Sequence, residues 1–161
     1  EFNDYINWIP TYCSQHWEVL VHSLMFTDTM IAQSDSGLRT RIQIEEPGIL
    51  IAERHWDRLL ETINRSGNAN FECDEKGDFN ICYYNGNCQS PGLGAMDITL
   101  MSGEHLYIIK EHYLQQVNHP TLRCNLMLRS VDDDYMDDMD LDLIIGQPLL
   151  LNYYSIFDVY N

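Results

Sequence analysis

The sequence predicts an all-β domain with two short helices, and three observations point there. Short segments recur in which apolar residues alternate with polar ones or run together for a few positions, the pattern of β-strands. Only one stretch repeats its apolar residues at three- and four-residue steps over the length of a real helix. At 161 residues and 45% hydrophobic content, with three Trp and ten Tyr, the chain has one domain's length and enough apolar surface for a core.

Taken in order, Trp17 to Val21 and Arg41 to Ile44 read as strands. Ile49 to Ile63 reads as an amphipathic helix opening just after Pro47-Gly48, because Leu50, Trp56, Leu59, Leu60 and Ile63 fall on one stripe. Cys73 and Cys82 flank the turn-like stretch from Asp74 to Asp78, a spacing suited to a disulfide across a hairpin. Asp97 to Met101 and His105 to Ile109 read as strands joined by a turn at Ser102-Gly103. Asn125 to Leu128 is a further strand, Gly146 to Leu151 a second, shorter helical turn, and Ser155 to Val159 a last strand. Met96, Met101 and Met127 fall on these strands and are expected in the core. No repeat of solenoid period is present.

Charge narrows the function classes. Nine Lys+Arg against 25 Asp+Glu give a formal net charge of −16 and a pI near 4.4. The basic residues are scattered singly, so no surface can track a phosphate backbone, and nucleic acid is excluded as a partner. Anionic membrane surfaces are disfavoured by the same repulsion, and no apolar run reaches the roughly 18 residues of a membrane span. Asp132 to Asp142 holds seven carboxylates in eleven residues. It lacks the Gly and terminal Glu of a calcium loop, so a solvated acidic loop is expected. His16, His22, His55, His105, His112 and His119 show no metal-ligand spacing, and His55 reads as a surface or capping residue. No metal or cofactor is expected.

The five cysteines include no C-x-x-C pair, which favours structural disulfides and an oxidising compartment. Asn64-Arg65-Ser66 is a glycosylation sequon, consistent with the secretory pathway. The chain opens on Glu1-Phe2-Asn3-Asp4 without Met, which reads as a processed chain or a fragment.

The run from Leu143 to Asp158 contains Ile144-Ile145-Gly146, then Gln147-Pro148-Leu149, then an aromatic-rich segment ending in Phe157-Asp158. It resembles the last part of a pepsin-like aspartic protease, where two apolar residues and a Gly end an inner strand before a short helix. The resemblance is collinear upstream. Asn7-Trp8-Ile9-Pro10 with Trp17-Glu18-Val19 is similar to the opening of that family's C-terminal lobe, and Asp97 to Ile109 with Tyr113-Leu114 resembles its later hairpin. Cys88 and Cys124 stand where that lobe carries a disulfide. The resemblance implies that residues 1–161 form a single domain, one β-rich lobe of a bilobal acid protease, ending short of the family's final strand. It implies as partner a cognate N-terminal lobe, in a separate chain or the same precursor, or a second copy in a homodimer. A peptide or protein in the cleft would be the ligand, and Cys13, left over from the pairing, would be a buried thiol or an interchain link.

The family's catalytic Asp-Thr/Ser-Gly slot falls here on Glu46-Pro47-Gly48, or on Glu45-Glu46-Pro47 one residue earlier. Neither register has the Asp. Two carboxylates must share one proton for this chemistry. A Glu is one methylene longer, and displacing a carboxylate by roughly 1 Å costs on the order of a hundredfold in rate. Pro47 lacks both the hydroxyl and the amide N–H with which the family steadies its carboxylates. Asp35-Ser36-Gly37 matches the tripeptide literally, but its polar surroundings read as a surface turn. Three functions stay open: a catalytically inactive lobe serving as a binding or structural module, the C-terminal part of an active aspartic endopeptidase, or another secreted β-domain with an acidic loop. A secreted or endolysosomal location suits the first two.

Overall fold

The computed structural model describes residues 8–11, 15–76, 79–118, 120–153 and 155–157. Its framework is an eleven-stranded sheet built of antiparallel pairs with two parallel insertions. Two long strands open it: β1 (Glu18–Phe26) and β2 (Thr29–Ile42) form an antiparallel hairpin with Phe26 opposite Thr29 and Glu18 opposite Arg41. Val19, Val21, Leu24 and Phe26 on β1 belong to the core, the change from odd to even positions falling at the register irregularity around His22. Registers Ser23–Gln33 and Val21–Leu38 leave Ser34 to Gly37 opposite His22 alone, so β2 bulges there. Asp35-Ser36-Gly37 is therefore a bulge inside a strand and not the separate surface turn expected, with Gly37 at φ +91°, a conformation that suits glycine.

The expected helix over Ile49–Ile63 divides. Ile49, Leu50, Ile51 and Ala52 form β3 (Ile49–Ala52), all buried, and α1 (Glu53–Gly67) begins after it. Trp56, Leu59 and Ile63 turn inward onto the sheet, and Asn68 at φ 45° ends the helix in the left-handed region. A second hairpin pairs β4 (Glu72–Lys76) with β5 (Phe79–Tyr84), Cys73 directly opposite Cys82. Strands β6 (Met96–Leu100) and β7 (His105–Ile108) follow on the far side of β1, then α2 (Lys110–Tyr113), β8 (Leu114–Val117), β9 (Arg123–Leu126) and β10 (Leu128–Val131).

The acidic tract is not the free loop expected. It folds as α3 (Asp133–Asp138), with Asp132 capping its first turn through the Asp134 N–H at 2.7 Å. β11 (Leu143–Ile145) and α4 (Gln147–Leu150) complete the described elements, giving four helices where two were expected. Met96 is buried and Met127 half-buried, but Met101 is 44% exposed in the turn after β6, so it is not a core residue. Residues 155–157 form no strand, and Asp158 and Val159 lie outside the described residues.

Strand order runs β7-β6-β1-β2-β11-β3-β10-β5-β9-β8, with β4 joined to β5. β11 thus sits centrally, parallel to β2 and antiparallel to β3. At the β7 edge the outward Tyr107 N–H donates to the Tyr153 hydroxyl at 2.7 Å, and the Asn152 side-chain amide donates to the Tyr107 carbonyl at 2.7 Å. These side chains stand where another strand would otherwise pair.

Candidate functional site

The loop Gln43–Gly48 joins β2 to β3 and arches over the end of β11, the strand lying between them. Its ties are backbone to backbone. Gln43 N–H donates to the Ile145 carbonyl at 2.9 Å, Gly146 N–H to the Gly48 carbonyl at 3.0 Å, and Gln147 N–H to the Glu46 carbonyl at 2.9 Å. On the other flank Ile49 N–H donates to the Met127 carbonyl at 2.8 Å. The two sequence motifs, Glu46-Pro47-Gly48 and Ile144-Ile145-Gly146, are therefore joined in space.

Both glycines are dictated by the closeness of this fit. A Cβ on Gly146 would stand 1.9 Å from the Glu46 carbonyl oxygen, and one on Gly48 2.4 Å from the Met127 carbonyl oxygen. Neither neighbour is a side chain that can swing away. Within the loop, Glu45 and Pro47 are exposed and Glu46 is half-buried. Glu46 Oε1 accepts from the Gly48 N–H at 3.0 Å, so its longer side chain folds back on its own loop. Asp35 does not join them: it lies in the β2 bulge, with the paired residues Leu38 to Arg41 between it and the loop.

Sequence reading missed a charge cluster on β1 and β2, centred on one buried carboxylate. Glu18 on β1 is only 2% exposed and accepts from Arg41 Nε at 3.0 Å and Arg41 Nη2 at 2.7 Å, with Arg39 Nη2 at 3.4 Å. Arg39 also pairs with Asp140, and its N–H donates to Asp142 Oδ2 at 3.0 Å. The signal was a pair of arginines alternating along β2 opposite an acidic residue in an apolar strand.

A second cluster surrounds Arg54 in the first turn of α1. Its guanidinium reaches Asp133 at 3.1 Å, Asp137 at 2.9 Å, Asp142 at 2.9 Å and the Leu141 carbonyl at 3.3 Å. Asp133 also accepts from the Arg54 backbone N–H at 3.2 Å, doing the work of the cap that Ala52 lacks. Burial alone would push the Asp142 carboxyl up, but His55, Arg54 and the Arg39 amide outweigh it and hold it below the usual carboxylate range. Burial likewise opposes the Arg54 charge, yet its three aspartates hold it above the ordinary arginine value. His55 is half-buried, with Nε2 at 3.7 Å from Asp142 Oδ1, too far for a hydrogen bond.

The other expected sites fall elsewhere. Disulfides join Cys73 to Cys82 and Cys88 to Cys124, while Cys13 and His119 lie outside the described residues. Asn64 sits in the last turn of α1 and accepts from the Phe71 N–H at 2.8 Å. His105 pairs with Asp97 at 3.0 Å on the β6–β7 hairpin. No group of three or more His, Cys, Asp or Glu able to hold a metal occurs among the described residues. A shallow pocket of about 210 Å³ lies between Ile9-Pro10, β1 and the Met101 turn, away from the Glu46 loop.

No protein-family model matches the chain, and no curated protein matches it. Solved structures do. The basic 7S globulin from soybean superposes with a TM-score of 0.60 at 13% identity, over 84% of this chain and 34% of the globulin. Conglutin gamma, a basic 7S globulin from lupine seeds, superposes with a TM-score of 0.63 at 11% identity, over 84% of this chain and 33% of its own. The chain spans about a third of the length of each. The two disulfides fit a secretory-pathway protein, and no helix among the described residues is long and apolar enough to cross a membrane. Both globulins have a pepsin-like fold, and at these identities the likeness establishes fold: the chain is a mostly β, aspartic-protease-like structure.

Proposed function

We propose that this chain is the C-terminal lobe of an aspartic-protease-like protein that does not hydrolyse peptides and serves as a binding or structural module. Residues 1–161 form that single lobe, and the position of the family's catalytic Asp is held by Glu46, or by Glu45 in the other register. The observation that carries this reading is the chemistry of the loop. Glu46 spends Oε1 on the Gly48 N–H at 3.0 Å. Pro47 supplies neither hydroxyl nor N–H to hold a carboxylate in register with a second one. A proton-sharing dyad demands placement to a fraction of an ångström, and two departures in three residues remove the means of achieving it.

The module pairs with a cognate N-terminal lobe, or with a second copy of itself, and works in the secretory pathway or an endolysosomal compartment. Ile44 in the loop is 53% exposed and Leu151 just after α4 is 66% exposed, apolar surface that a partner lobe or a peptide would cover. The test is a peptide-cleavage assay at acid pH on the full-length protein, with and without a transition-state-mimicking inhibitor of aspartic proteases. No turnover above a heat-inactivated control is expected. Turnover blocked by the inhibitor and lost in Glu46→Gln would overturn the proposal.

That outcome would favour the second reading, the C-terminal part of an active endopeptidase. One observation supports it: the loop has a carboxylate and Gly48, with Gly146 against it at the end of β11 and the backbone ties that hold the loop in place.

A further inference from the structure

We propose that Asn64 carries an N-linked glycan, attached before α1 folds and directed away from the candidate loop. Asn64-Arg65-Ser66 is the one Asn-x-Ser/Thr triplet in the sequence. It occurs in a chain whose two disulfides belong to the same oxidising compartment as glycan transfer. A triplet alone is weak ground, and three structural observations carry it further.

The first is position on the helix. At about 100° per residue Asn64 lies roughly 20° from Asp57 and 60° from Glu61 around α1. Asp57, Glu61 and Arg65 are exposed and Trp56, Leu59 and Ile63 form the buried stripe, so that Asn64, itself half-buried, stands at the outer border of that stripe. The second is which atom of the amide the fold uses. Asn64 Oδ1 accepts from the Phe71 N–H at 2.8 Å, closing the turn after α1, while Nδ2 has no hydrogen-bond partner among the described residues. A glycan replaces one hydrogen on Nδ2 and leaves Oδ1 free to keep that bond, so the native fold accommodates the modification.

The third fixes the timing. In the folded helix Ser66 Oγ donates to the Thr62 carbonyl at 2.7 Å, back along α1 and not toward Asn64. The hydroxyl and amide that a transferase must engage together are thus available only while 64–66 is unwound. In the transfer, Nδ2 forms a bond to the anomeric carbon of a lipid-linked oligosaccharide and gives up a proton to an enzyme base. The bond from that carbon to the pyrophosphate oxygen breaks, and the lipid pyrophosphate leaves with the electron pair.

Asn64 stands about 16 Å along α1 from Glu53 at ~1.5 Å per residue. The sugar therefore hydrates the end of the helix remote from β3 and the Glu46 loop, leaving the loop open to a partner.

The experiment expresses the full-length protein through the secretory pathway of eukaryotic cells and measures intact mass before and after a peptide N-glycosidase. Loss of one glycan's mass is expected, with Asn64 converted to Asp. Ser66→Ala should arrive unmodified and Ser66→Thr modified. Asn64→Asp should arrive unmodified yet folded, because it retains the oxygen that accepts from Phe71, and its circular dichroism should match that of the deglycosylated wild type. Wild-type protein recovered only in unmodified form, from the medium or from any compartment, would overturn the site. Refolded, unglycosylated protein that accepts glycan from transferase and lipid-linked donor as readily as an unfolded 64–66 peptide would overturn the timing.

Discussion

Replacing Gly146 by alanine tests whether the two glycine motifs are locked together. The added methyl would meet the Glu46 carbonyl oxygen at 1.9 Å, the Glu46 carbonyl carbon at 2.7 Å and the Gly48 oxygen at 2.7 Å. Since Cβ contacts essentially never fall under 3.0 Å, loop and strand must part by about 1 Å or more. That separation breaks or stretches the bonds from Gly146 N–H and Gln147 N–H into the loop, now 3.0 and 2.9 Å. Two hydrogen bonds at ~0.5–1.5 kcal/mol each and ~1–3 kcal/mol of overpacking sum to ~2–6 kcal/mol. For a domain of this size that lowers Tm by about 5–20 °C. Thermal unfolding followed by circular dichroism reads it, with Gly92→Ala as control, because a methyl on Gly92 meets nothing within 4 Å. A Gly146→Ala protein melting alongside the Gly92→Ala control would refute the lock.

Two further perturbations address the charge clusters. Asp142→Asn removes the negative charge and one of the two oxygens, of which Oδ1 accepts from Arg54 and Oδ2 from the Arg39 amide. Because the folded carboxyl titrates below its unfolded value of about 3.9, its stabilisation is full above that value and is lost as pH falls through the lower folded one. The wild-type advantage, ~1–3 kcal/mol after allowance for partial exposure, should hold steady from pH 7 to about 5 and shrink below about 4 in urea titrations. A difference unchanged down to pH 2 would refute the assignment. Glu18→Ala leaves the half-buried Arg41 without its carboxylate and should cost ~1–3 kcal/mol by chemical denaturation, and a double-mutant cycle with Arg41→Met should recover a large part of it. Additive single effects would show that the pair does not act as a unit.

The β character of the chain was legible because half-buried strands alternate with a period of two. The inner face of α1 was legible from Trp56, Leu59 and Ile63. The start of that helix was not. Ile49 to Ala52 is a continuous apolar run, which fits a buried central strand as well as the entry to a helix, and Ala52 offers no capping side chain to mark the boundary. The cap comes from Asp133, 79 residues beyond the N–H it accepts. A boundary set by a tertiary contact leaves no local trace. The acidic tract was misread for the same reason: seven aspartates with no basic neighbour look solvated, yet several close on Arg39 and Arg54 from distant parts of the chain.

The candidate site divides along a physical line. Gly48 and Gly146 stood out as glycines, and residue type discloses a need for space, but not the carbonyls that impose it. Those carbonyls belong to Glu46, Gly48 and Met127, and a backbone carbonyl is indifferent to its side chain. The backbone bonds that tie the loop to its neighbours therefore make no demand on whether an aspartate or a glutamate stands at 46, or a hydroxyl residue or a proline at 47; the Glu46 side chain adds a bond only within the loop, to the Gly48 N–H. Shape and chemistry rest on separate atoms here. A loop held in this way can keep its conformation after the residues that would make it catalytic are replaced, as long as the glycines remain. The Gly146 substitution and the Glu46 assay probe these separately: the first should destabilise the fold, while the second should find no activity to lose.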